Sequence, residues 1–118
     1  MPREGKWNDS STLVDIHIAA RNIVAFARGY TYDSFMEDER TQAAVILQII
    51  VIGEATRRLT AAFRAEHPNI PWDKMAGMRN HMVHGYDDWD LDEVWRVATT
   101  EVSPLIAQLT PLIPPPVG

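Results

Sequence analysis

The sequence predicts an all-α protein, an antiparallel bundle of four to five helices. Three observations favour this class: long stretches carry apolar residues at helical spacing, short glycine- and proline-containing breaks separate them, and no stretch alternates as a half-buried strand does. With 118 residues and no internal repeat, the chain is expected to fold as one domain around one core. We assign that domain to residues 11–110.

The first helix is predicted to begin at Ser10 to Thr12, which are typical capping residues, and to end before Gly29. Residues 1–10 are expected to form a flexible N-terminus, and "GYTYDSF" after the helix resembles a turn. A longer second helix is predicted from about Glu39 to about Glu66, where "HPNIP" stops it. Its middle, "AAVILQIIVIGEA", is apolar nearly all round, as expected of the central helix of a bundle.

The third helix is predicted from about Trp72 to about His84, with Gly85 placed to end it. A fourth follows "DDWDLDE", whose carboxylates suit a helix N-terminus, and Pro104 should kink or interrupt it. The remaining residues 111–118, "PLIPPPVG", are expected to form an extended proline-rich tail.

Composition excludes several function classes. Without cysteine the chain has no disulfide, no thiolate metal site and no cysteine nucleophile, and a net charge of −5 argues against binding nucleic acid over the whole surface. The longest apolar run, Ala43 to Gly53, is far shorter than the roughly 20 residues that span a bilayer. The N-terminus also lacks the apolar core of a signal peptide, so we expect a cytoplasmic protein without membrane contact.

Polar side chains concentrate in "GMRNHMVHGYDD", Gly77 to Asp88. On an ideal helix of about 100° per residue, one polar face contains Gly77, Asn80, His81 and His84. The opposite side is predicted to be core, with Met75, Met78, Met82 and Val83. Arg79 falls among these apolar residues, about 140° from His84 on the same wheel.

Two interpretations of Arg79 remain open from the residues alone. Its charge is compensated inside the bundle, with Glu54 as the natural partner and structural support, although Glu54 also has Arg58 at i+4. Alternatively, the helix loosens toward Gly85 and Arg79 converges with His84 on a shared anion.

The histidines and the tyrosine also have ordinary structural interpretations. His84 alone is typical of a surface or hydrogen-bonded histidine, and Tyr86 of a ring packed on the end of the bundle. His81 and His84 are spaced to share a metal, but no third ligand stands at a convincing spacing, so we expect no metal site. His81 remains a spare acid or base.

Arg79, Asn80, His84 and Tyr86 resemble the Arg-Asn-x-x-x-His-x-Tyr signature of HepT-like proteins in the HEPN superfamily. "IGEA" at Ile52 to Ala55, "IPW" at Ile70 to Trp72, "GMRN" at Gly77 to Asn80 and "EVW" at Glu93 to Trp95 follow the family's order. The resemblance covers the chain from the first helix to the fourth. By contrast, Arg21-Asn22 has no histidine in register.

The resemblance implies a HEPN-type bundle that forms a homodimer, with the motifs facing a cleft, and a metal-independent ribonuclease activity that needs no cofactor. It implies a toxin whose antitoxin is a minimal nucleotidyltransferase, and adenylylation of Tyr86 by that partner. The rival hypothesis is a non-catalytic helical module that binds a nucleotidyltransferase or a second copy.

The chemistry fits these residues. Metal-free RNA cleavage needs a base for the 2′-hydroxyl, an acid for the leaving 5′-oxygen and positive charge on the phosphorane. His84 is the candidate acid or base, Arg79 the phosphate ligand, and Asn80 would orient the imidazole or the substrate. A symmetric dimer would supply two histidines and bring Arg79 of one chain toward His84 of the other. AMP on Tyr86 would oppose RNA binding by bulk and negative charge.

Overall fold

The computed structural model describes residues 8–83 and 88–115 of the chain. Within these ranges the α-helices are α1 (Asp9–Ala27), α2 (Tyr32–Met36), α3 (Glu39–Arg58), α4 (Ala61–Glu66), α5 (Trp72–Ala76), α6 (Leu91–Arg96) and α7 (Val102–Leu109). Tighter 3-10 turns are formed by Met78–His81, called the motif turn below, and by Thr110–Leu112. The β pairing in the described part of the chain is one isolated bridge between Val83 and Trp89. The prediction of an all-α bundle is confirmed.

An antiparallel pair, α1 and α3, forms the centre of the fold. At one end, the carboxylate of Asp9 accepts hydrogen bonds from the amide and hydroxyl of Thr60, at 2.9 and 2.7 Å. Further along, the Asn22 side chain donates to Gln48 Oε1 at 3.4 Å. Because the start of α1 meets the end of α3, the two helices run in opposite directions, and α7 and α5 pack against them.

The core forms where the inner faces of these helices meet. Its largest fully enclosed side chains are mainly aliphatic: Leu13, Ile16, Ile23, Val45, Ile49, Ile52, Met75, Met82, Val94, Val102 and Leu109, with the ring of Phe35. Only one face of α3 takes part, since Leu47 on its outer side is 55% exposed. Helix α3 is thus the central helix predicted from its apolar stretch, with an outer side that the single chain leaves uncovered. No described helix is long and apolar enough to cross a membrane.

Capping explains where the helix ends differ from the predicted ones. Asn8 caps α1 by accepting from the Ser11 amide, so the helical domain begins inside the segment predicted to be flexible. The predicted turn "GYTYDSF" contains α2, which starts with a capping box between Thr31 and Ser34. The predicted long second helix is two helices, because Thr60 leaves the helical conformation and caps α4 through Phe63 N.

The last helix is interrupted near Pro104, as predicted, by a π-helical turn at Val97–Glu101. Pro104 has no amide hydrogen to donate, so a regular helix cannot continue unchanged through it. Within and before the π turn, the hydroxyls of Thr99 and Thr100 donate to the carbonyls of Trp95 and Arg96 at 2.7 and 2.6 Å. Beyond α7, the chain adds the 3-10 turn Thr110–Leu112 before it becomes extended, so the predicted tail starts later; residues 116–118 lie outside the described ranges.

Gly53 permits a close approach of α3 to α5. A Cβ atom at this position would lie 3.2 Å from the carbonyl oxygen of Ala76 and 3.6 Å from that of Met75, both main-chain atoms. A Cβ atom at Gly77 would make only ordinary van der Waals contacts, at 3.5 Å. The two glycines therefore differ in how much room a methyl group has.

Replacing Gly53 by alanine should lower the free energy of unfolding by about 1 kcal/mol, because overpacking outweighs the roughly 1 kcal/mol that alanine adds to helix propensity. Gly77→Ala, the matched control, should change it by less than about 0.5 kcal/mol. Urea denaturation of both variants measures the difference. A more stable Gly53→Ala protein would show that α5 is free to move away.

Candidate functional site

The start of α5 is fixed by Trp72. Its ring is buried, and its indole N–H donates to the carbonyls of Arg64 and His67 at 3.1 and 3.0 Å. The Phe63 ring lies 5.9 Å away between centroids. Because α4 and the following loop bind this indole, the first residue of α5 is held in place, and α5 leads directly into the motif.

The motif turn carries Arg79, Asn80 and His81 into solvent. Helix α5 ends at Ala76, and the chain continues from Gly77 as the 3-10 motif turn. Met78 and Met82 are buried on either side of the three exposed residues. A 3-10 turn rotates the chain by about 120° per residue, so the helical wheel of an ideal α-helix ceases to apply at Gly77. Met75, Met78 and Met82 are core residues as predicted, whereas the placement of Arg79 on the apolar side is wrong.

Asn80 lies over Gly77. Its amide nitrogen Nδ2 is 3.5 Å from the position that a Cβ of residue 77 would occupy. The main chain is also closed here, since Asn80 N donates to Gly77 O at 2.9 Å. Gly77 N in turn donates to Asp73 O at 3.1 Å. Asn80 thus sits on a defined main-chain turn.

Glu54 does not compensate Arg79 inside the bundle. Its side chain is 54% exposed and accepts a hydrogen bond from Arg57 Nη1 at 3.2 Å, one position earlier than the i+4 spacing considered above. Since Arg79 is itself exposed, its charge is solvated and needs no buried counter-ion. Glu54 instead borders the outer side of α3, beside Ile18 and Val51.

Main-chain contacts join the end of the motif turn to the residues just before α6. Asp90 N donates to Met82 O at 2.7 Å, and Val83 pairs with Trp89 in the isolated bridge. His84 and Tyr86, the predicted catalytic histidine and adenylylation site, lie outside the described residues, as does Gly85. Their assignments therefore stay predictions, as does the functional role of Arg79 and Asn80.

A charged cleft of about 450 Å³ lies beside the motif turn. Met78, Met82 and Val97 line it with apolar atoms, and its charged and polar lining consists of Lys74, His81, Asp90, Glu93, Arg96 and Glu101. Glu101 bridges two cations, with Oε1 3.0 Å from Lys74 Nζ and Oε2 2.5 Å from Arg96 Nη1. Arg96 also donates to both carboxylate oxygens of Glu93, at 2.9 and 2.6 Å.

These contacts favour the ionised forms of Glu93 and Glu101. Hydrogen bonds from Arg96 hold the pKa of Glu93 below its ordinary value. Partial burial opposes ionisation of Glu101, but hydrogen bonds from Lys74 and Arg96 outweigh it and lower the pKa of that group too. Sequence spacing indicates only the Glu93–Arg96 pair, at i, i+3. Lys74 and Glu101 are distant in the chain, so this cleft could not be predicted from the sequence.

No group of three or more histidine, aspartate or glutamate side chains in residues 8–83 and 88–115 is arranged to hold a metal ion. The predicted spacing of His81 and His84 involves one residue outside these ranges. Among the described histidines, His17 lies far along the chain from the motif and bonds Thr110 Oγ1 at 3.0 Å.

Comparison with known proteins defines the class of this bundle. The family model described as "Ribonuclease HepT-like" matches residues 16–112. "Probable ribonuclease HepT" of Thermococcus cleftensis is 36% identical over 100 residues, which cover 85% of this chain and 91% of the relative. "Putative RNase MJ0127" of Methanocaldococcus jannaschii is 33% identical over 101 residues, covering 86% and 84%. No solved structure matches the chain.

The chain belongs to the ribonuclease HepT-like family, which the family model shows over most of its length. "Putative RNase MJ1380" of Methanocaldococcus jannaschii, 33% identical over 90 residues, covers 76% of this chain and 83% of its own. The matched region begins within α1 and ends at the last 3-10 turn, so it includes the motif turn and the charged cleft.

Proposed function

We propose that the protein is an endoribonuclease that acts in the cytoplasm and cleaves RNA without a metal ion. The observation that supports this most is the motif turn, where buried Met78 and Met82 hold Arg79 and Asn80 in solvent. Exposed guanidinium and amide groups on a defined turn suit phosphate binding rather than core packing. The names of the relatives, "Probable ribonuclease HepT" and "Putative RNase", agree with that chemistry.

In the proposed reaction, a histidine base takes the proton of the 2′-hydroxyl, and the 2′-oxygen attacks the adjacent phosphorus. The bond to the 5′-oxygen breaks, an acid gives that oxygen a proton, and a 2′,3′-cyclic phosphate remains. His84 serves as acid or base, and Arg79 balances the charge that develops on the phosphorane. Asn80 orients the imidazole or the substrate.

We further propose that the enzyme is a symmetric homodimer built on the outer face of α3. The face consists of apolar side chains left uncovered within one chain: Ile18, Ala43, Ile46, Leu47, Ile50 and Val51. Leu47 and Ile18 are 55% and 49% exposed, and each lines a cavity that also includes Ile50. Exposed apolar side chains grouped in this way are typical of an interaction surface. Glu54 and Arg58 flank the same face.

The outer face of α3 is continuous with the end of the motif. Asp88, Trp89 and Leu91 line one cavity with Ala43, Leu47 and Ile50. A second copy bound to this face would therefore bring the motif segments of the two protomers close together. This supports a cleft in which Arg79 of one protomer works with His84 of its partner.

Regulation by a nucleotidyltransferase antitoxin is part of the proposal. Transfer of AMP from ATP to the Tyr86 hydroxyl, with release of pyrophosphate, would add a negatively charged phosphodiester to the proposed catalytic site between the protomers. That charge would repel the phosphate of the RNA, and the attached nucleotide would occupy the space that the RNA needs.

A second candidate function, a non-catalytic module that binds a nucleotidyltransferase, is favoured by two observations. The net charge is −5, and the exposed large apolar side chains of the described residues lie on α1, α2 and α3 rather than in the charged cleft. On this hypothesis the outer face of α3 would bind the partner instead of a second copy.

RNA cleavage in the presence of EDTA tests the central proposal. Wild-type protein should cleave single-stranded RNA, and His84→Ala and Arg79→Ala should each lower kcat by about 10²- to 10³-fold. Arg28→Ala, at an exposed position beyond α1, is the control and should retain full activity. Chelator-sensitive cleavage would contradict a metal-independent reaction, and a wild type that cleaves no RNA would favour the interaction module.

Leu47→Glu tests the dimer, because a charge at the centre of the outer face of α3 costs desolvation energy in the interface. Sedimentation should show a monomer with at least about tenfold lower activity, whereas Ala62→Glu on α4 should remain dimeric and active. Mixing Arg79→Ala and His84→Ala chains should restore part of the activity. If mixed dimers form and stay inactive, the two residues do not act across the interface.

Tyr86→Phe separates cleavage from regulation, because it removes only the acceptor hydroxyl. The variant should cleave RNA within about twofold of wild type but resist inhibition by the nucleotidyltransferase and ATP. Incorporation of labelled AMP, measured with Tyr32→Phe as the control for an exposed tyrosine, identifies the acceptor. Equal labelling of wild type and Tyr86→Phe would place the modification elsewhere.

A further inference from the structure

The charged cleft adjoins an apolar pocket of about 270 Å³ between α5 and α7. The two cavities share three lining residues, Lys74, Met78 and Glu101, and we call them together the α5–α7 groove. The Lys74–Glu101 ion pair lies at the junction of its apolar and charged halves. One end of the groove is lined by His81 of the motif turn.

The apolar half suits the flat face of a nucleobase. Its walls are formed by Pro71, Met75, Met78, Pro104 and Leu105, whose side chains present hydrocarbon and thioether surface. Thr100 and Gln108 add polar atoms at its edge. Small-molecule sites commonly combine such apolar walls with a few placed polar groups.

The ion pairs in the groove favour a base over a phosphate. Lys74 binds Glu101, and Arg96 binds Glu93 and Glu101, so both cations are already engaged by carboxylates. The carboxylate oxygens can also accept hydrogen bonds from the N–H groups of a base edge. The phosphate is left to Arg79 on the adjoining motif turn.

Glu101 is the acceptor best placed to contact such an edge. Its side chain is only 21% exposed, and Lys74 and Arg96 hold one carboxylate oxygen each. An ionised carboxylate has about four acceptor sites, so both oxygens retain capacity for a ligand. The residue ends the π turn, a distortion that is often found at functional sites.

We propose that the α5–α7 groove binds one unpaired nucleobase next to the scissile phosphate, and that Glu101 makes guanine the preferred base there. Guanine presents N1–H and the N2 amino group side by side to one carboxylate, whereas uracil offers a single N–H between two carbonyl oxygens that the carboxylate repels. The inference rests on the proposed ribonuclease function, since it assigns that enzyme a base preference.

The test measures binding separately from cleavage. Fluorescence anisotropy follows labelled seven-nucleotide RNAs that differ only in G or U at one position, bound to the His84→Ala protein to prevent turnover. We expect about tenfold tighter binding of the G-containing RNA. Glu101→Gln should reduce the ratio to about two, because an amide can donate as well as accept. Glu66→Gln on α4 is the control and should keep the preference.

A second pair of variants tests the groove without altering its charges. Gln108→Trp places an indole at the edge of the apolar half and should weaken RNA binding about tenfold, whereas Ala107→Trp, exposed on the same helix, should not. Circular dichroism confirms that each variant is folded.

The outcomes separate the two proposals. Equal binding of G and U RNAs by a protein that cleaves RNA overturns the base site and leaves the ribonuclease standing. A G preference without any cleavage overturns the ribonuclease instead. Failure of both RNAs to bind, with binding of a lysine-rich peptide that Gln108→Trp abolishes, would show that the groove takes a protein partner.

Discussion

The close packing of α5 against α3 at Gly53 is the constraint on which the site depends. It lets the main chain of Met75 and Ala76 lie against α3. The position of α5 in turn determines where the motif turn leaves the bundle. From there Met78 and Met82 reach back into the core, while the residues between them face water. A larger side chain at Gly53 would move the whole turn, because α5 is too short to absorb the displacement by bending.

Much of this fold was predictable because capping and apolar periodicity are local. The all-α class, the break near Pro104 and the core methionines follow from patterns within a few residues of each other. The 3-10 geometry after Gly77 could not be predicted in this way. A regular α-helix would bury Arg79, and burying an unpaired guanidinium costs more free energy than forming a tighter turn. The Lys74–Glu101 pair also escaped prediction, because it joins distant parts of the chain.

The candidate site has different neighbours on its two sides. Toward the outer face of α3 the surface is aliphatic and suited to another protein surface, whereas toward α6 and α7 it is charged and concave. The proposed dimer and the proposed base site use these two sides, so they do not compete for the same atoms. A change in RNA preference could therefore arise without loss of assembly, and the reverse holds as well.

The bridge between Val83 and Trp89, with the adjoining bond from Asp90 to Met82, encloses only five residues of sequence. Met82 is buried in the core, and the side chain of Asp90 caps the start of α6. The described ends of this segment are therefore held by the same helices that build the core. A substitution that loosened α6 would also disturb the end of the motif turn, although the two are separated along the chain.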